Sequence, residues 1–315
     1  MRFIKKFLKG FIGILLLLVV VAYITDYEYI LKGVRVVYMT GHVTAYIDDY
    51  PHFENAEILN ATPQPWPLHN QYNSSTATSR LQETHQELGT VAFLIIKNDS
   101  IWYENYAEDS EKEYGPTSKT NSFSMAKSIT SALLGKAIKD GYIKSLDQPL
   151  GDFFDQYASS TTTVGDLSSM SSGLDWEESY TSPFSVTARA YYDDDLAETI
   201  LNQKVTETPG KSFKYLSGNT QLLGMVIEKA TGKKLATYLS ESFWKPLGME
   251  QPALWQVDDA DHQLVKTYCC ISSNARDFAR FGKLYKNHGK WNGKQVIDSS
   301  FVTKSIHPRF PEERR

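Results

Sequence analysis

A long apolar run near the N-terminus most constrains what this 315-residue chain can fold into. The run extends from Phe11 to Ile24 and contains no charged residue. A helix over it measures about 21 Å, and a helix counted from Phe7 measures about 27 Å, close to the hydrocarbon thickness of a bilayer. Four basic residues precede it, Arg2, Lys5, Lys6 and Lys9. We predict a basic cytoplasmic segment over 1–10 and a membrane anchor or export signal over 11–24, rather than a buried helix of a soluble core.

The residues after the run favour an anchor that is not cleaved. Ala22 is followed by large or polar residues through Asp26, which is not a small-x-small cleavage site, and no cysteine stands there for lipid attachment. Because basic residues stay on the cytoplasmic side, the chain after residue 25 is predicted to lie in the periplasm or outside the cell.

The remaining chain has the composition of a globular protein. Apolar residues make up 41% and aromatic residues 13% of the sequence, enough for a substantial core. The net charge of -4 and the absence of a basic stripe give no reason to expect a nucleic-acid partner. Three prolines lie in the polar stretch 61–84, so we predict a juxtamembrane segment and linker over 25–85 and the folded domain over 86–315.

Neither the cysteines nor the histidines predict a metal site. Cys269 and Cys270 are adjacent, so they lack zinc-site spacing and cannot close a long loop; we expect two buried, inert thiols. The seven histidines show no His-Glu-x-x-His or similar spacing, and the triplet 193–195 of aspartates is typical of a solvated loop. We therefore expect no metal and no cofactor.

Strand patterns precede helical patterns along the domain. Two β-branched and aromatic runs meet at Asn98-Asp99, which predicts a β-hairpin. Helical patterns follow over 122–139, 218–231, 233–243 and 274–287. This arrangement favours an α+β fold.

A serine and a lysine at the start of the first of these helices suggest nucleophilic chemistry. Ser124 and Lys127 are three residues apart, so on a helix capped by Asn121 or Ser122 their side chains lie on one face. A hydroxyl is a poor nucleophile until a base takes its proton, and an amine in apolar surroundings can be that base. The helix N-terminus supplies N–H groups suited to an oxyanion.

The Ser-x-x-Lys spacing is weak evidence by itself, because a second copy occurs in this chain. Ser242 and Lys245 have the same spacing, but Pro246 follows at once, so this lysine is expected at an exposed helix end. We interpret the second copy as coincidence.

Several motifs in series resemble one family over about residues 86–312. They are FSMAKSITSALLGKAIKDGYIKSLDQPLGDFF, TTVGDLSSMSSGLDWEESY and KYLSGNTQLLGMVIEKATGKKLATYLSESFWKPLGM. In order and spacing they resemble the serine β-lactamase-related hydrolases, in the branch of class C β-lactamases, D-Ala-D-Ala peptidases and esterases, and in particular the 6-aminohexanoate-dimer hydrolase-like group. The resemblance implies an antiparallel sheet with flanking helices and a helical subdomain.

The resemblance also implies roles for particular residues. Ser124 would be the acyl-enzyme nucleophile, Lys127 its proton acceptor, and Tyr215 a second base or acid coupled to that lysine. Four residues would border or contact substrate, namely Trp176, Tyr180, Ser217 and Asn219. Ser217 stands where many members have asparagine, which weighs against β-lactam turnover that needs that amide. On the residues alone, Tyr215 could equally be a tyrosine packed at a loop edge.

One family motif is not found. A Lys-Thr-Gly or His-x-Gly strand normally follows the region 281–297 by several tens of residues, but the sequence stops at Arg315. We expect a C-terminally truncated chain or fragment, with the hairpin 91–106 left short of strand partners. The function indicated is a serine hydrolase acting on a small amide, ester or short peptide. The alternatives are D-amino-acid peptidase or β-lactamase-type activity, and a non-catalytic binding protein on the same fold.

Overall fold

The computed structural model describes residues 2–108 and 112–310. Its helices are α1 (Arg2–Ile24), α2 (Tyr29–Val36), α3 (Ser79–Leu88), α4 (Met125–Lys139), α5 (Val164–Ser168), α6 (Val186–Tyr192), α7 (Leu196–Leu201), α8 (Ser217–Thr231), α9 (Leu235–Leu239), α10 (Ala275–Lys286) and α11 (Ser299–Ser305). Its strands are β1 (Asn55–Ile58), β2 (Ala92–Lys97), β3 (Ser100–Tyr106), β4 (Thr120–Asn121), β5 (Ala253–Gln256), β6 (Ile271–Ser273), β7 (Lys290–Trp291) and β8 (Lys294–Gln295). The fold is α+β, as predicted.

The main sheet is antiparallel and has the strand order β1-β5-β6-β4. Trp255 of β5 is fully buried beneath it, and its indole donates to the carbonyl oxygens of Lys266 and Cys269. Strand β4 pairs with β6 and leads directly into α4. The sheet therefore fixes the point at which α4 begins.

The hairpin predicted at Asn98-Asp99 is confirmed. Strands β2 and β3 pair antiparallel, and both turn residues have positive φ angles of 50° and 58°, as a tight two-residue turn requires. The hairpin forms a two-stranded sheet of its own. Glu104 of β3 ties it to α10 through Arg276, with a Nη2 to Oε1 distance of 2.5 Å.

Helices α4 and α8 pack together in the core. Their contact faces are rich in small and aliphatic residues, and Gly224 of α8 lies so close to Thr267 that a Cβ there would overlap the threonine methyl group. The prediction over 218–231 is confirmed, with Gly232 as a left-handed C-cap. The prediction over 274–287 is also confirmed, because Asn274 caps α10 by accepting from Asp277 N.

Three expectations about segments differ from the structure. Helix α4 begins at Met125 and its N-cap residue is Ser124 instead of Asn121 or Ser122, because those residues belong to β4 or its exit. The helix expected over 233–243 is α9 followed by a π-helical turn, Ser240–Trp244. Within the expected linker, α3 is helical and β1 pairs with β5, so packed structure begins before residue 86.

Helix α1 stands apart from the rest of the protein. It is the one helix in the described ranges that is long and apolar enough to cross a membrane, over Phe3–Ile24, and none of that window is buried in the protein. The next helix, α2, instead packs on α6.

Candidate active site

Ser124 stands at the N-terminal end of α4. The residue before it, Phe123, has a φ of 43°, a left-handed conformation that is uncommon for a bulky residue. Asn121 holds this turn, because its Oδ1 accepts from Phe123 N at 2.9 Å. The turn lifts Ser124 out of the sheet and leaves it exposed at the helix N-terminus, where the helix dipole favours a negative oxygen.

Lys127 lies one turn further along α4, beside Ser124. Its Nζ is 3.1 Å from Ser124 Oγ and donates to the carbonyl oxygen of Tyr268 at 2.9 Å. The side chain is partly buried, less enclosed than the dry amine that the sequence suggested. The predicted meeting of the two side-chain heads is nonetheless present.

Tyr215 reaches Ser124 from a distant part of the chain. Its hydroxyl donates to Ser124 Oγ at 2.9 Å, and its ring centroid lies 5.0 Å from Lys127 Nζ. The three side chains therefore meet at one hydroxyl oxygen, two of them within hydrogen-bond reach of it. A serine held between an amine and a phenol is arranged to exchange its proton.

Glu178 organises the other side of the site, and the sequence analysis did not single it out. Its carboxylate accepts from Ser217 N at 2.6 Å and Ser217 Oγ at 2.7 Å, which caps the N-terminus of α8. It also accepts from Trp176 Nε1 at 2.8 Å and from the Tyr180 hydroxyl. Desolvation of the phenol is the main cause that raises the pKa of Tyr180, and the neighbouring Glu178 carboxylate is the second.

A cavity of about 220 Å³ adjoins Ser124. Its aromatic wall contains Phe123, Tyr191 and Tyr268, and Lys127 is the one charged side chain among the described lining residues. The remaining lining residues are Thr44, Ala45, Ser179, Tyr180, Thr187, Ala188, Tyr192, Ser217 and Cys269. Tyr180 and Ser217, two of the four residues predicted to border or contact substrate, are among these lining residues.

Trp176 and Asn219 do not line this cavity, which corrects their expected role in substrate contact. Trp176 is 1% exposed and packs against Gly218, where any Cβ would collide with its ring. Asn219 is fully buried, and its amide is used by Ser172 and the Met170 sulfur. Trp176 instead donates to Glu178, the carboxylate that accepts from the lining residues Tyr180 and Ser217.

A buried polar group behind the wall was also missed. Asp49 is fully buried and accepts from Tyr191 Oη at 2.6 Å, Asn121 Nδ2 at 3.1 Å and Gln256 Nε2 at 3.0 Å. Burial raises the pKa of Asp49, against the effect of these hydrogen bonds. Through Asn121, this carboxyl group is linked to the turn that carries Ser124. The sequence did not indicate this group because its members lie far apart along the chain.

The expectation of two thiols at Cys269 and Cys270 is wrong. The residues are buried, as expected, but they are joined by a disulfide between neighbours, with Cα atoms 3.7 Å apart. Cys270 has a φ of 76°. The disulfide directly follows Tyr268, whose carbonyl oxygen accepts a hydrogen bond from Lys127 Nζ. Cys269 itself lines the cavity.

Two further sequence features fall outside the site. In the second Ser-x-x-Lys copy, Ser242 is buried and Lys245 is exposed, so their heads face different surroundings. In the described residues, Asp258, Asp259 and His262 come close enough to share an ion. However, Asp258 already accepts from the backbone N–H groups of Asp259, Leu264 and Leu196, which assigns it a structural role.

The chain resembles known proteins in sequence and in fold. A model of the Beta-lactamase family matches residues 49–315. The chain is 25% identical over 241 residues to the 6-aminohexanoate-dimer hydrolase of Paenarthrobacter ureafaciens, covering 72% of this chain and 60% of that protein. A Bacillus anthracis structure named for 6-aminohexanoate-dimer hydrolase superposes with a TM-score of 0.69 at 24% identity, covering 87% of this chain and 73% of that one. The structure of a penicillin-binding protein of Bacillus halodurans superposes with a TM-score of 0.59 at 15% identity, covering 73% of this chain and 78% of that one.

These likenesses differ in what they establish. The solved structures share the fold, while the Paenarthrobacter protein is longer, so the chain spans 60% of its length. The family model covers most of the chain and includes Ser124, Lys127 and Tyr215. The chain belongs to the Beta-lactamase family.

Proposed function

We propose that this protein is a serine hydrolase that cleaves an amide or ester bond through an acyl-enzyme on Ser124. The observation that carries the proposal is the convergence of Lys127 Nζ at 3.1 Å and Tyr215 Oη at 2.9 Å on Ser124 Oγ, at the mouth of a cavity. The likeness to a 6-aminohexanoate-dimer hydrolase supports an amide or ester substrate over other classes.

In the acylation step, Ser124 Oγ attacks the carbonyl carbon of the substrate while its proton passes to the pair Lys127 and Tyr215. The N-terminus of α4 stabilises the negative oxygen that forms. Collapse of this intermediate breaks the bond to the amine or alcohol, and the pair returns the proton to that leaving group. In the second step, water gives a proton to the same pair and attacks the acyl carbon. The bond from that carbon to Ser124 Oγ breaks, the acid leaves, and the pair returns the proton to Oγ.

Glu178 and Tyr268 hold this machinery in position. The Tyr268 carbonyl oxygen fixes Lys127 Nζ at 2.9 Å. Glu178 fixes Ser217 by both its N–H and its hydroxyl, two residues after Tyr215. Because the Ser217 hydroxyl is already donated, it is poorly placed to replace the amide of the asparagine that many relatives carry. This favours simple amides and esters over β-lactams.

We also propose that α1 anchors the enzyme in a membrane, with the catalytic domain on the non-cytoplasmic side. Helix α1 is exposed along its whole apolar window and carries lysines at its start, as an N-terminal signal anchor does.

Labelling of the detergent-solubilised full chain with a fluorophosphonate probe tests the nucleophile. We expect labelling of the wild-type protein and none of Ser124→Ala, while the control Ser128→Ala, an exposed serine on the same helix, stays labelled. Labelling that persists in Ser124→Ala would remove Ser124 from its role. An unlabelled wild-type protein would favour a non-catalytic binding protein.

Hydrolysis of p-nitrophenyl acetate tests the proton transfer. Tyr215→Phe removes the hydroxyl that contacts Ser124, and loss of a general acid or base typically lowers the rate about 10²–10⁴-fold. The control Tyr142→Phe, at an exposed site, should keep the wild-type rate. Equal rates for Tyr215→Phe and the control would contradict the mechanism.

A further inference from the structure

Directly after α1, the chain contacts α6, a helix that supplies part of the cavity wall. Asp26, two residues beyond α1, accepts from Arg189 Nη1 of α6 at 2.7 Å. The next residue, Tyr27, packs edge-to-face against Phe184, with ring centroids 5.6 Å apart. The segment that follows the anchor is therefore held against the domain by an ion pair and an aromatic contact.

This arrangement places α6, which supplies part of the cavity wall, beside the end of α1. Two extended residues reach about 7 Å, so Asp26 and the Arg189 guanidinium that contacts it lie close to the end of the apolar helix. Arg189 is the neighbour of Ala188, which lines the cavity. The segment after α2 supplies two more lining residues, Thr44 and Ala45. The juxtamembrane chain thus both anchors the domain and builds one wall of its cavity.

Large apolar side chains are exposed on the chain segments that carry these lining residues or contact the residues after α1. We call Val43, Tyr180 and Phe184 the rim; they are 84%, 69% and 67% exposed. Val43 precedes the lining residue Thr44, Tyr180 itself lines the cavity, and Phe184 contacts Tyr27. Single exposed apolar residues are ordinary, but an aromatic group continuous with the end of a membrane helix is typical of a surface that lies in the lipid headgroup layer.

The residues that line the cavity indicate which kind of substrate the membrane would supply to Ser124. Apart from Lys127, the described lining residues carry no charge, and Phe123, Tyr191 and Tyr268 provide an aromatic wall. Among the lining residues that the structure describes, none has a carboxylate to pair with an ammonium group, and none has a guanidinium to pair with a carboxylate. An uncharged, apolar acyl group next to the scissile bond suits this lining best.

We propose that the rim docks in the headgroup layer of the membrane that holds α1, and that the substrate is an amphiphile, an ester or amide of an uncharged acyl chain, drawn from that layer. The proposal rests on the hydrolase and anchor functions proposed above. The acyl chain occupies the aromatic cavity and its carbonyl carbon bonds to Ser124 Oγ, as in the acylation step already described.

Membrane contact can be measured without catalysis. The full chain is reconstituted in phosphatidylcholine vesicles whose lipids carry bromine on the acyl chains, which quench tryptophan fluorescence at short range. Phe184→Trp in a Ser124→Ala background should be quenched beyond the protein's own tryptophans, whereas Leu88→Trp, exposed on α3, should not. Equal quenching of the two variants would overturn the docking proposal.

The substrate class is tested with two esters on the reconstituted enzyme. Vesicle-borne p-nitrophenyl laurate should be hydrolysed at least tenfold faster than p-nitrophenyl acetate at equal total concentration. The variant Val43→Ser/Phe184→Ser should lose about tenfold or more on laurate while keeping acetate hydrolysis, and the control Leu88→Ser should change neither. Equal rates on both esters, or equal losses in the rim variant, would overturn the amphiphile substrate. Inactivity on both esters would instead overturn the hydrolase function, and the quenching experiment would still decide the membrane contact.

Discussion

Replacing the buried Lys266 should change how stability depends on pH. Lys266 is fully buried, donates from Nζ to the Tyr191 carbonyl oxygen at 2.7 Å, and lies 4.1 Å from the centre of the Phe53 ring. Burial, reinforced by the charge of Lys32, lowers the pKa of Lys266 from 10.5 to about 7. The substitution Lys266→Met keeps the apolar stem and removes the ionisable group.

The magnitude follows from these two pKa values. Below pH 7 the amine is protonated in both the folded and the unfolded state, and the buried charge costs the folded state about 5 kcal/mol, at about 1.4 kcal/mol for each pH unit between the two values. Between pH 7 and 10.5 the unfolded state binds the extra proton, so stability rises with pH. For this group alone, the free energy of unfolding should increase by about 2.7 kcal/mol from pH 6 to pH 9.

Urea unfolding of the detergent-solubilised full chain, followed by tryptophan fluorescence from pH 6 to pH 9, provides the assay. The difference between wild type and Lys266→Met isolates this lysine from other titrating groups. Lys266→Met should be the more stable protein at pH 6, and its advantage should shrink as the pH rises. The exposed Lys245→Met is the matched control and should follow the wild type. Parallel curves for wild type and Lys266→Met would refute the reasoning.

Two further predictions concern packing and a buried ion pair. Gly224→Ala should destabilise the protein by about 1–3 kcal/mol because the new Cβ overlaps the Thr267 methyl group, whereas Gly282→Ala has open space in α10 and should be neutral or stabilising by up to about 1 kcal/mol. Equal unfolding midpoints for these two variants would contradict the close approach of α8. Glu104→Gln should cost about 3 kcal/mol at pH 7, because it breaks a buried pair with Arg276. Burial by itself would raise the pKa of Glu104, but hydrogen bonds from Arg276 and two tyrosines outweigh burial and lower this pKa below 4.5. The stabilisation by Glu104 is therefore present above pH 4.5 and is lost as the pH falls through the folded-state pKa. A Glu104→Gln penalty that stays constant down to pH 3 would contradict this account.

Local patterns in the sequence determined several features. The positive φ angles needed at Asn98 and Asp99 are ones that these residue types tolerate, so the hairpin was predictable from two letters. The meeting of Ser124 and Lys127 was likewise predictable, because three residues of helix bring their side chains together whatever surrounds them. The apolar window of α1 was fixed by length and composition alone.

Tertiary structure decided the rest of the site. Tyr215 reaches Ser124 across 91 residues of sequence, and the packing of α8 against α4 brings these two together. Glu178 reaches Ser217 across 39 residues, from the segment between α5 and α6. Burial is likewise a property of the whole fold. Among the lysines whose burial the structure describes, Lys266 is the one that is completely buried, although the sequence indicated Lys127 as the desolvated amine. Spacing along a helix specifies which neighbours meet, whereas desolvation depends on every element packed around a side chain, and for that reason only the folded chain determined it.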